Sequence, residues 1–411
     1  MKKVLIFILS LTLFVSVFFM GTSTKADMVE TSPGSYEYFE EVELAQIDSG
    51  YEVTSAITTD GRLFMWGDNG YGALGDGTEF MRYSPIEITM NFDLAIGETI
   101  VKVGHGDAFS LALTSFGRVF SWGDDFYSGI EIDPPENSLY PVDITSAFDI
   151  DSQDEIIDIE VGYYHCAVIS SSGELYMWGY NTSGQLGDGT NDDREAPVNI
   201  TQNLELDIDE EIRTMSLGED HSMLVTSLGR IFTWGSNFRG QLGDGTAVDK
   251  SSPVNITSGF SLQPGEIVTM LDSYRQTIAS TNMGRVFGWG YNINKQLTSS
   301  CSSPQYVPKD ITATMNFNPL EEPLVITITS VSSHILTSDF SLLSWGSNNY
   351  GQFGGEDFSL AGSWTPLRLT ANFNLLEVQQ YLGVGYIDFS TAGNSSFAIG
   401  SNNNVYSFGD N

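Results

Sequence analysis

The stretch HSMLVTSLGRIFTWGSNFRGQLGDGT, residues 221–246, contains two strand-like runs joined by a short turn and followed by a Trp-Gly pair and a glycine-rich loop. Shifted copies recur along the chain, and successive tryptophans are 56, 56, 56, 55 and 56 residues apart. A seventh copy ends in Phe408-Gly409. A fixed period in this range indicates units that cannot bury their own apolar faces and must stack on their neighbours. The repeated Trp-Gly pairs are Trp66 with Gly67, Trp122 with Gly123, Trp178 with Gly179, Trp234 with Gly235, Trp289 with Gly290, and Trp345 with Gly346.

Each copy holds four strand-like segments, which in the fourth copy are Glu211–Leu217, His221–Thr226, Arg230–Trp234 and Pro253–Thr257. These runs are short, apolar or alternating, and bounded by Gly, Asn, Asp and Pro, as strands are. We therefore predict an all-β fold, a seven-bladed β-propeller of four-stranded antiparallel blades over residues 43–411. Each Trp should fill the gap between blades and needs an acceptor for its indole N–H. The Gly after it lets a neighbouring backbone approach.

The two ends of the chain need separate interpretations. Residues 1–26 have the charged, apolar and small-residue order of a signal peptide, with cleavage expected after Ala26. An uncleaved membrane anchor is the alternative. The seventh copy stops before its fourth segment, so we predict that Tyr36–Phe39, in the N-terminal segment 27–42, closes the ring as that strand. A truncated gene product is the alternative.

The charge of the chain restricts its partners. The leader carries three of the 17 basic residues and none of the 53 acidic ones, so the remainder has a formal charge of −39. This negative field disfavours nucleic acids, which bind through Lys and Arg, and anionic lipid surfaces. The leader and this charge predict a secreted or surface-associated acidic protein, expected to be a monomer and to have no membrane contact beyond the leader. Its two cysteines, Cys166 and Cys301, indicate a buried thiol and a loop thiol, with a disulfide as the alternative.

No sequence motif for catalysis is found, and we predict that the protein is not an enzyme. Of the four histidines, His165 and His221 hold equivalent repeat positions, which favours a structural role. His105 lies in an unusual Gly-His-Gly-Asp loop and is the weak functional candidate.

Acidic residues cluster at three places. Because calcium is bound by several carboxylate oxygens, these clusters make calcium the one cofactor to consider. The spacing does not match an EF-hand, so a solvated acidic rim without cofactor is the preferred interpretation. The clusters are Asp149, Asp151 and Asp154; Asp207, Asp209 and Glu211; and Asp188, Asp192 and Asp193.

The repeat over residues 43–411 resembles that of the regulator of chromosome condensation family, whose members are seven-bladed propellers. Its founder is a nuclear exchange factor for a small GTPase, so the resemblance implies such a regulator as the alternative function. The leader and the large negative charge do not fit docking on chromatin. Secreted bacterial members of the family look more similar in context, such as β-lactamase inhibitor protein II, which binds its target enzyme across one face.

We predict a secreted or bacterial cell-surface propeller that acts as a non-catalytic protein-binding module, with an extracellular protein or surface ligand as partner. Irregular loops are where an individual binding function is expected. Rim aromatics are frequent binding anchors. The candidates are Trp364, in the long loop of the sixth copy, with Phe126, Tyr127 and Tyr350.

Overall fold

The computed structural model describes residues 27–32, 35–39, 44–50, 52–124, 137–297, 303–339, 341–349, 353, 362–368, 386–392, 395–400 and 405–409. The strands β1 to β29 are, in chain order, Asp27–Ser32, Ser35–Phe39, Leu44–Ser49, Val53–Thr58, Leu63–Gly67, Arg82–Glu87, Ile100–His105, Phe109–Thr114, Val119–Gly123, Ser138–Asp143, Ile156–Val161, His165–Ser170, Leu175–Gly179, Arg194–Asn199, Ile212–Leu217, His221–Thr226, Ile231–Gly235, Lys250–Asn255, Val268–Ser273, Gln276–Thr281, Val286–Gly290, Gln305–Asp310, Pro323–Ile328, Ser332–Thr337, Leu342–Ser347, Gly362–Arg368, Tyr386–Ala392, Ser395–Gly400 and Val405–Gly409. The helical turns are Thr89–Asn91, Thr145–Ala147, Thr201–Leu204, Thr257–Phe260 and Thr312–Met315.

Strands β3 to β26 form six sheets of four strands each, here blades 1 to 6 in chain order. Consecutive strands pair antiparallel, as where Ser222 in β16 lies opposite Trp234 in β17. The first strand of each blade lies beside the first strand of the next, and β27 lies beside both β23 and β3. The chain is therefore an all-β propeller whose first strands surround a central channel.

The prediction of seven four-stranded blades is corrected to six. The remaining sheet, β27 to β29, has three strands within the described residues. The predicted closing segment Tyr36–Phe39 lies in β2, which pairs with β1 rather than with β29. Two residues separate β1 from β2, so this hairpin costs far less loop-closure entropy than pairing with the far end of the chain.

The predicted signal peptide, residues 1–26, lies outside the described residues. Within the described part of the chain, no helix has both the length and the apolar character to cross a membrane.

The apolar core lies between blades rather than within them. One buried cluster joins Met65 and Leu74 of blade 1 to Phe120 and Trp122 of blade 2. The equivalent cluster between blades 3 and 4 joins Met177 to Trp234. Each unit thus depends on its neighbour to bury its apolar surface, as the repeat predicts.

The tryptophans fill these inter-blade gaps. The indoles of Trp122, Trp178, Trp234, Trp289 and Trp345 are fully buried, whereas Trp66 in blade 1 is half-buried. The indole N–H of Trp234 donates to the Gln185 carbonyl of the preceding blade at 2.8 Å, and three other copies repeat this bond. The acceptor is therefore supplied by the glycine-rich loop of the neighbouring blade. The N–H of Trp178 has no hydrogen-bond partner among the described residues, and residues 125–136, which include the corresponding loop of blade 2, lie outside them.

Glycine is required on both sides of this contact. Gly235 has φ of 102°, and a Cβ there would lie 2.6 Å from the Asp220 carbonyl oxygen. Gly187, in the loop that covers Trp234, has φ of 73°, and its Cβ would lie 2.7 Å from the indole nitrogen. Any larger residue would push the loop away from the ring.

Candidate functional site

One face of the propeller carries two sets of loops, those between the first and second strands and those after the third strand. In blades 2 to 5 these loops are rich in tyrosine and charged residues. We call this surface the tyrosine rim. It consists of Asp107, Tyr163, Tyr164, Tyr180, Glu219, Asp220, Phe238, Arg239, Tyr274, Arg275 and Tyr291.

Backbone hydrogen bonds between blades hold the rim together. The Asp107 N–H donates to the Tyr163 carbonyl at 3.0 Å, and the Glu219 N–H donates to the Tyr274 carbonyl at 3.0 Å. Within a blade, the Tyr180 N–H donates to the Tyr164 carbonyl at 2.9 Å. The loops are therefore fixed to one another and to the rigid strands below, which suits a preformed binding surface.

The aromatic rings form a continuous group over blades 3 to 5. The rings of Tyr163 and Tyr164 have centroids 4.4 Å apart at 80°. Tyr163 also reaches Tyr274 of blade 5 at 6.4 Å, and Tyr164 meets Tyr180 at 6.0 Å. Gly218 of the intervening blade permits this approach, since a Cβ there would lie 2.6 Å from the Tyr274 carbonyl oxygen. These edge-to-face contacts fix the ring orientations.

Two arginines pack against these aromatic rings. The Arg239 guanidinium lies 4.3 Å from the centre of the Tyr291 ring and 4.8 Å from that of Phe238. Arg275 lies 5.8 Å from the Tyr274 ring and forms an ion pair with Glu219 of the adjacent blade. Such guanidinium–aromatic contacts are favourable and hold both arginines in the rim.

Carboxylates interrupt the aromatic surface. The pKa of Asp220 is raised to about 6, mainly by burial and also by repulsion from Glu219 and Asp249, while Arg275 acts to lower it. Glu52 of blade 1 has a raised pKa, mainly from burial and then from repulsion by Asp68 and Asp107. In both cases burial is the larger cause and repulsion between neighbouring carboxylates is the smaller one, so carboxylates lie close to one another at the rim and beside it.

Below the rim, polar residues of the first strands line the channel. The Lys102 ammonium bonds carboxylate oxygens of Asp158 and Glu160, each at 2.8 Å. Asp272 accepts from the Ile328 N–H at 2.8 Å, and burial is the main cause that raises its pKa to about 7. Lys102 thus faces two acids, and Asp272 adds a third carboxyl to this part of the channel.

The four histidines all lie inside the blades. The imidazole of His105 bonds the hydroxyls of Ser55 and Ser110, at 2.8 and 2.9 Å. His165 bonds Ser222 at 2.9 Å, and His334 bonds Ser332 and Ser344. Burial lowers the pKa of each imidazole to about 3, so all are neutral near pH 7.

In two of the three acidic clusters considered as calcium sites, carboxylates are hydrogen-bonded to neighbouring residues. Asp188 accepts from Thr190 and forms an ion pair with Arg194 at 2.6 Å, and Asp193 accepts from the Asn181 N–H. Asp154 accepts from Ser171 and Ser172. Within the described residues, no three His, Cys, Asp or Glu side chains converge as a metal site would need.

The structure places few of the predicted binding residues. Trp364, predicted to lie in a long loop, lies instead in strand β26, and its side chain is not among those described. Phe126, Tyr127 and Tyr350 lie outside the described residues, so their binding role stays a prediction. Cys166 is a buried thiol whose pKa is raised by burial, and Cys301 lies outside the described residues.

Sequence reasoning missed the tyrosine rim, although a signal was present. The loop after the first strand carries a tyrosine at the same repeat position in three copies, Tyr51, Tyr163 and Tyr274. A recurrent tyrosine in a loop, rather than in a strand, points to a surface function.

Comparison with known proteins agrees with this architecture. The profile of the RCC1-like domain matches residues 17–271. The ultraviolet-B receptor UVR8 of Arabidopsis thaliana is 31% identical over 221 residues, which cover 54% of this chain and 48% of the receptor. The mitochondrial RCC1 domain-containing protein RUG3 of the same plant is 28% identical over 306 residues, 73% of this chain and 64% of that protein. The chain thus spans about half to two thirds of the length of these relatives.

Solved structures show the same fold at lower identity. Human WBSCR16 superposes with a TM-score of 0.72 at 21% identity, covering 91% of this chain and 89% of that one. Prp20p of Saccharomyces cerevisiae, described with its binding to Gsp1p and histones, gives 0.69 at 19% identity, covering 90% and 83%. The family profile matches well over half of the residues, and the repeat predicted the same family. This chain belongs to the family of RCC1-like domains.

Proposed function

We propose that this RCC1-like propeller, a protein-interaction module by fold, is exported and binds a partner protein through the tyrosine rim without catalysing a reaction. The observation that carries the proposal is the joined surface of Tyr163, Tyr164 and Tyr274 across blades 3 to 5. Tyrosine supplies large contact area at low entropic cost, and Tyr and Arg are enriched among residues that dominate binding energy. Because the loops are hydrogen-bonded to one another, little ordering would oppose association.

A binding role without catalysis has support from the histidines. A general base needs access to substrate and a pKa near the working pH. All four imidazoles are buried with pKa values lowered to about 3. His105, His165 and His334 are hydrogen-bonded to serines, and all four imidazoles are too deeply buried for a substrate to reach them.

Export is the second part of the proposal, and the leader at residues 1–26 supports it. Mass spectrometry of the protein from culture medium and cell envelope tests it directly. We expect a mature chain that begins at Asp27, found outside the cytoplasm. A cytoplasmic chain that retains Lys2 and Lys3 would contradict export.

The rim is tested by capture with the mature chain, residues 27–411, from surface and culture-medium extracts. We expect a partner that is captured by the unchanged chain and lost with Tyr164→Ser/Phe238→Ser. Phe238 is 57% exposed, so its loss should not unfold the protein, and thermal melting of the variant checks this.

A matched control uses the same residue types elsewhere. Phe116 lies in the turn between β8 and β9, at the opposite end of blade 2, and Tyr83 lies in the outer strand β6; they are 53% and 80% exposed. Phe116→Ser/Tyr83→Ser should capture the partner normally. Equal capture by the rim variant and the control would show that binding lies elsewhere.

A further inference from the structure

Carboxylates gather at both ends of the aromatic surface of the rim. At one end, Glu52 and Asp68 of blade 1 lie near Asp107 of blade 2. Asp107 contacts the tyrosines, because the Tyr164 hydroxyl donates a hydrogen bond to its carboxylate at 3.4 Å. Three acids so placed repel one another, and a positive group arriving there would relieve this repulsion.

At the other end, Asp220 of blade 4 lies near Glu219 and Asp249. The Glu219 carboxylate is paired with Arg275, and the Asp249 carboxylate accepts a hydrogen bond from the Asn237 N–H at 2.6 Å. Asp220 is half-buried, so part of its hydration is already lost. A carboxylate with little hydration gains most from a charged hydrogen-bond donor.

The rim already binds guanidinium groups of its own chain. Arg239 packs on Tyr291, and Arg275 combines a tyrosine face with a carboxylate of the neighbouring blade. These contacts show which chemistry the surface accepts. A tyrosine and a carboxylate also adjoin where the Tyr164 hydroxyl donates to Asp107.

We infer that the tyrosine rim binds an extended segment of its partner that carries arginine or lysine side chains between apolar ones. The inference rests on the proposed function and specifies the chemistry of the partner. The positive groups pair with Asp107 and Asp220, while the apolar side chains pack on Tyr163, Tyr164 and Tyr274. The formal charge of −39 on the chain without its leader attracts such a segment from a distance, and the rim combines aromatic surface with carboxylates where the segment docks.

The test uses the mature chain and three fluorescein-labelled peptides of the pattern Gly-Leu-X-Leu-X-Leu-X-Gly, where X is arginine, its neutral isostere citrulline, or glutamate. Fluorescence anisotropy is measured near physiological salt. We expect binding of the arginine peptide and at least tenfold weaker binding of the other two, which corresponds to about 1.4 kcal/mol or more. Equal binding of the arginine and citrulline peptides would overturn the inference.

Location is tested with two double variants that change the net charge equally. Asp107→Asn/Asp220→Asn removes the rim charges, and Asp151→Asn/Glu195→Gln removes two exposed charges elsewhere. We expect about tenfold weaker binding for the rim variant and unchanged binding for the control. The same loss in both variants would show only a general attraction to an acidic protein, and the inference would fail.

The partner from the capture experiment separates this inference from the proposed function. A partner that is lost with Tyr164→Ser/Phe238→Ser but retained by Asp107→Asn/Asp220→Asn supports rim binding and overturns the basic segment. A partner that is lost with both variants supports rim binding and the basic segment. If no partner depends on the rim, the proposed function fails, and a failed peptide assay would separately remove the basic segment.

Discussion

At the scale of the residue, the first position of the second strand tolerates very different side chains. A buried residue there contacts the loop of its own blade and reaches toward the next blade. His165 bonds the Ser222 hydroxyl of that neighbour, whereas both ring nitrogens of His221 are buried and have no hydrogen-bond partner among the residues that the structure describes. The residues at this position are Val53, Phe109, His165, His221, Gln276 and Ser332.

We therefore expect His221→Phe to stabilise the protein, by about 1–2 kcal/mol, because it removes two unsatisfied polar atoms from the interior. Phe109 shows that a phenyl ring fits the position, since it packs against Gly106 as His221 packs against Gly218. Urea unfolding at pH 7.5 provides the measurement. His165→Phe is the matched control and should gain less, as it breaks the bond to Ser222. A destabilised His221→Phe would show that the buried nitrogens have a partner such as an internal water.

At the scale of the element, the contact between a glycine-rich loop and the next tryptophan determines how blades join. The sequence predicted both the loop and the ring of this contact, because LGDGT predicts turns with positive φ and a buried Trp needs an acceptor for its indole N–H. The source of that acceptor could not be foreseen. It comes from the preceding blade, 48 or 49 residues earlier in the chain, and the repeat alone does not say which backbone carbonyl faces the indole.

Gly243→Ala tests this contact. The residue has φ of 70°, and a Cβ would lie 2.8 Å from the Trp289 indole nitrogen, so the substitution should displace the ring and weaken its bond to Gln241. We expect a loss of about 3 kcal/mol or more from strain and disturbed packing. Gly265→Ala is the control, because Gly265 has φ of 80° and nothing within 4 Å. Its loss should be about 1 kcal/mol, the cost of positive φ alone, and similar losses at both sites would argue against the contact.

At the scale of the whole molecule, the sequence predicted the family, the propeller and the first three strands of a blade, since these follow from local period and turn chemistry. The fourth segment, predicted as Pro253–Thr257, is Lys250–Asn255 in the structure. The sequence did not predict that the last sheet has three strands within the described residues, because strand pairing at the ends of a chain depends on competing partners. Nor did it predict the tyrosine rim. Tyr163 and Tyr274 are 111 residues apart, and only the curvature of the ring brings their side chains into contact.

The buried titratable groups make the stability of the whole ring depend on pH. Unfolding returns all four histidines to their usual pKa of 6.5, from about 3 in the folded chain. The unfolded chain then binds more protons between these values, so stability is complete above pH 6.5 and decreases below it. Asp272 and Asp220 act in the opposite sense, because their folded pKa values of about 7 and 6 exceed the usual 3.8.

At pH 5 the four histidines take up about four protons on unfolding, and the two aspartates release about two. The net uptake by these six groups is therefore about two protons. We expect the free energy of unfolding to decrease by roughly 2–3 kcal/mol per pH unit near pH 5, since each proton contributes about 1.4 kcal/mol. Urea unfolding at pH 7.5, 6 and 5 provides the measurement. His221→Phe removes one of these protons, so its slope should be shallower by about 1.4 kcal/mol per pH unit. An unchanged slope in that variant would mean that His221 is protonated in the folded chain, and the burial argument for the histidines would fail.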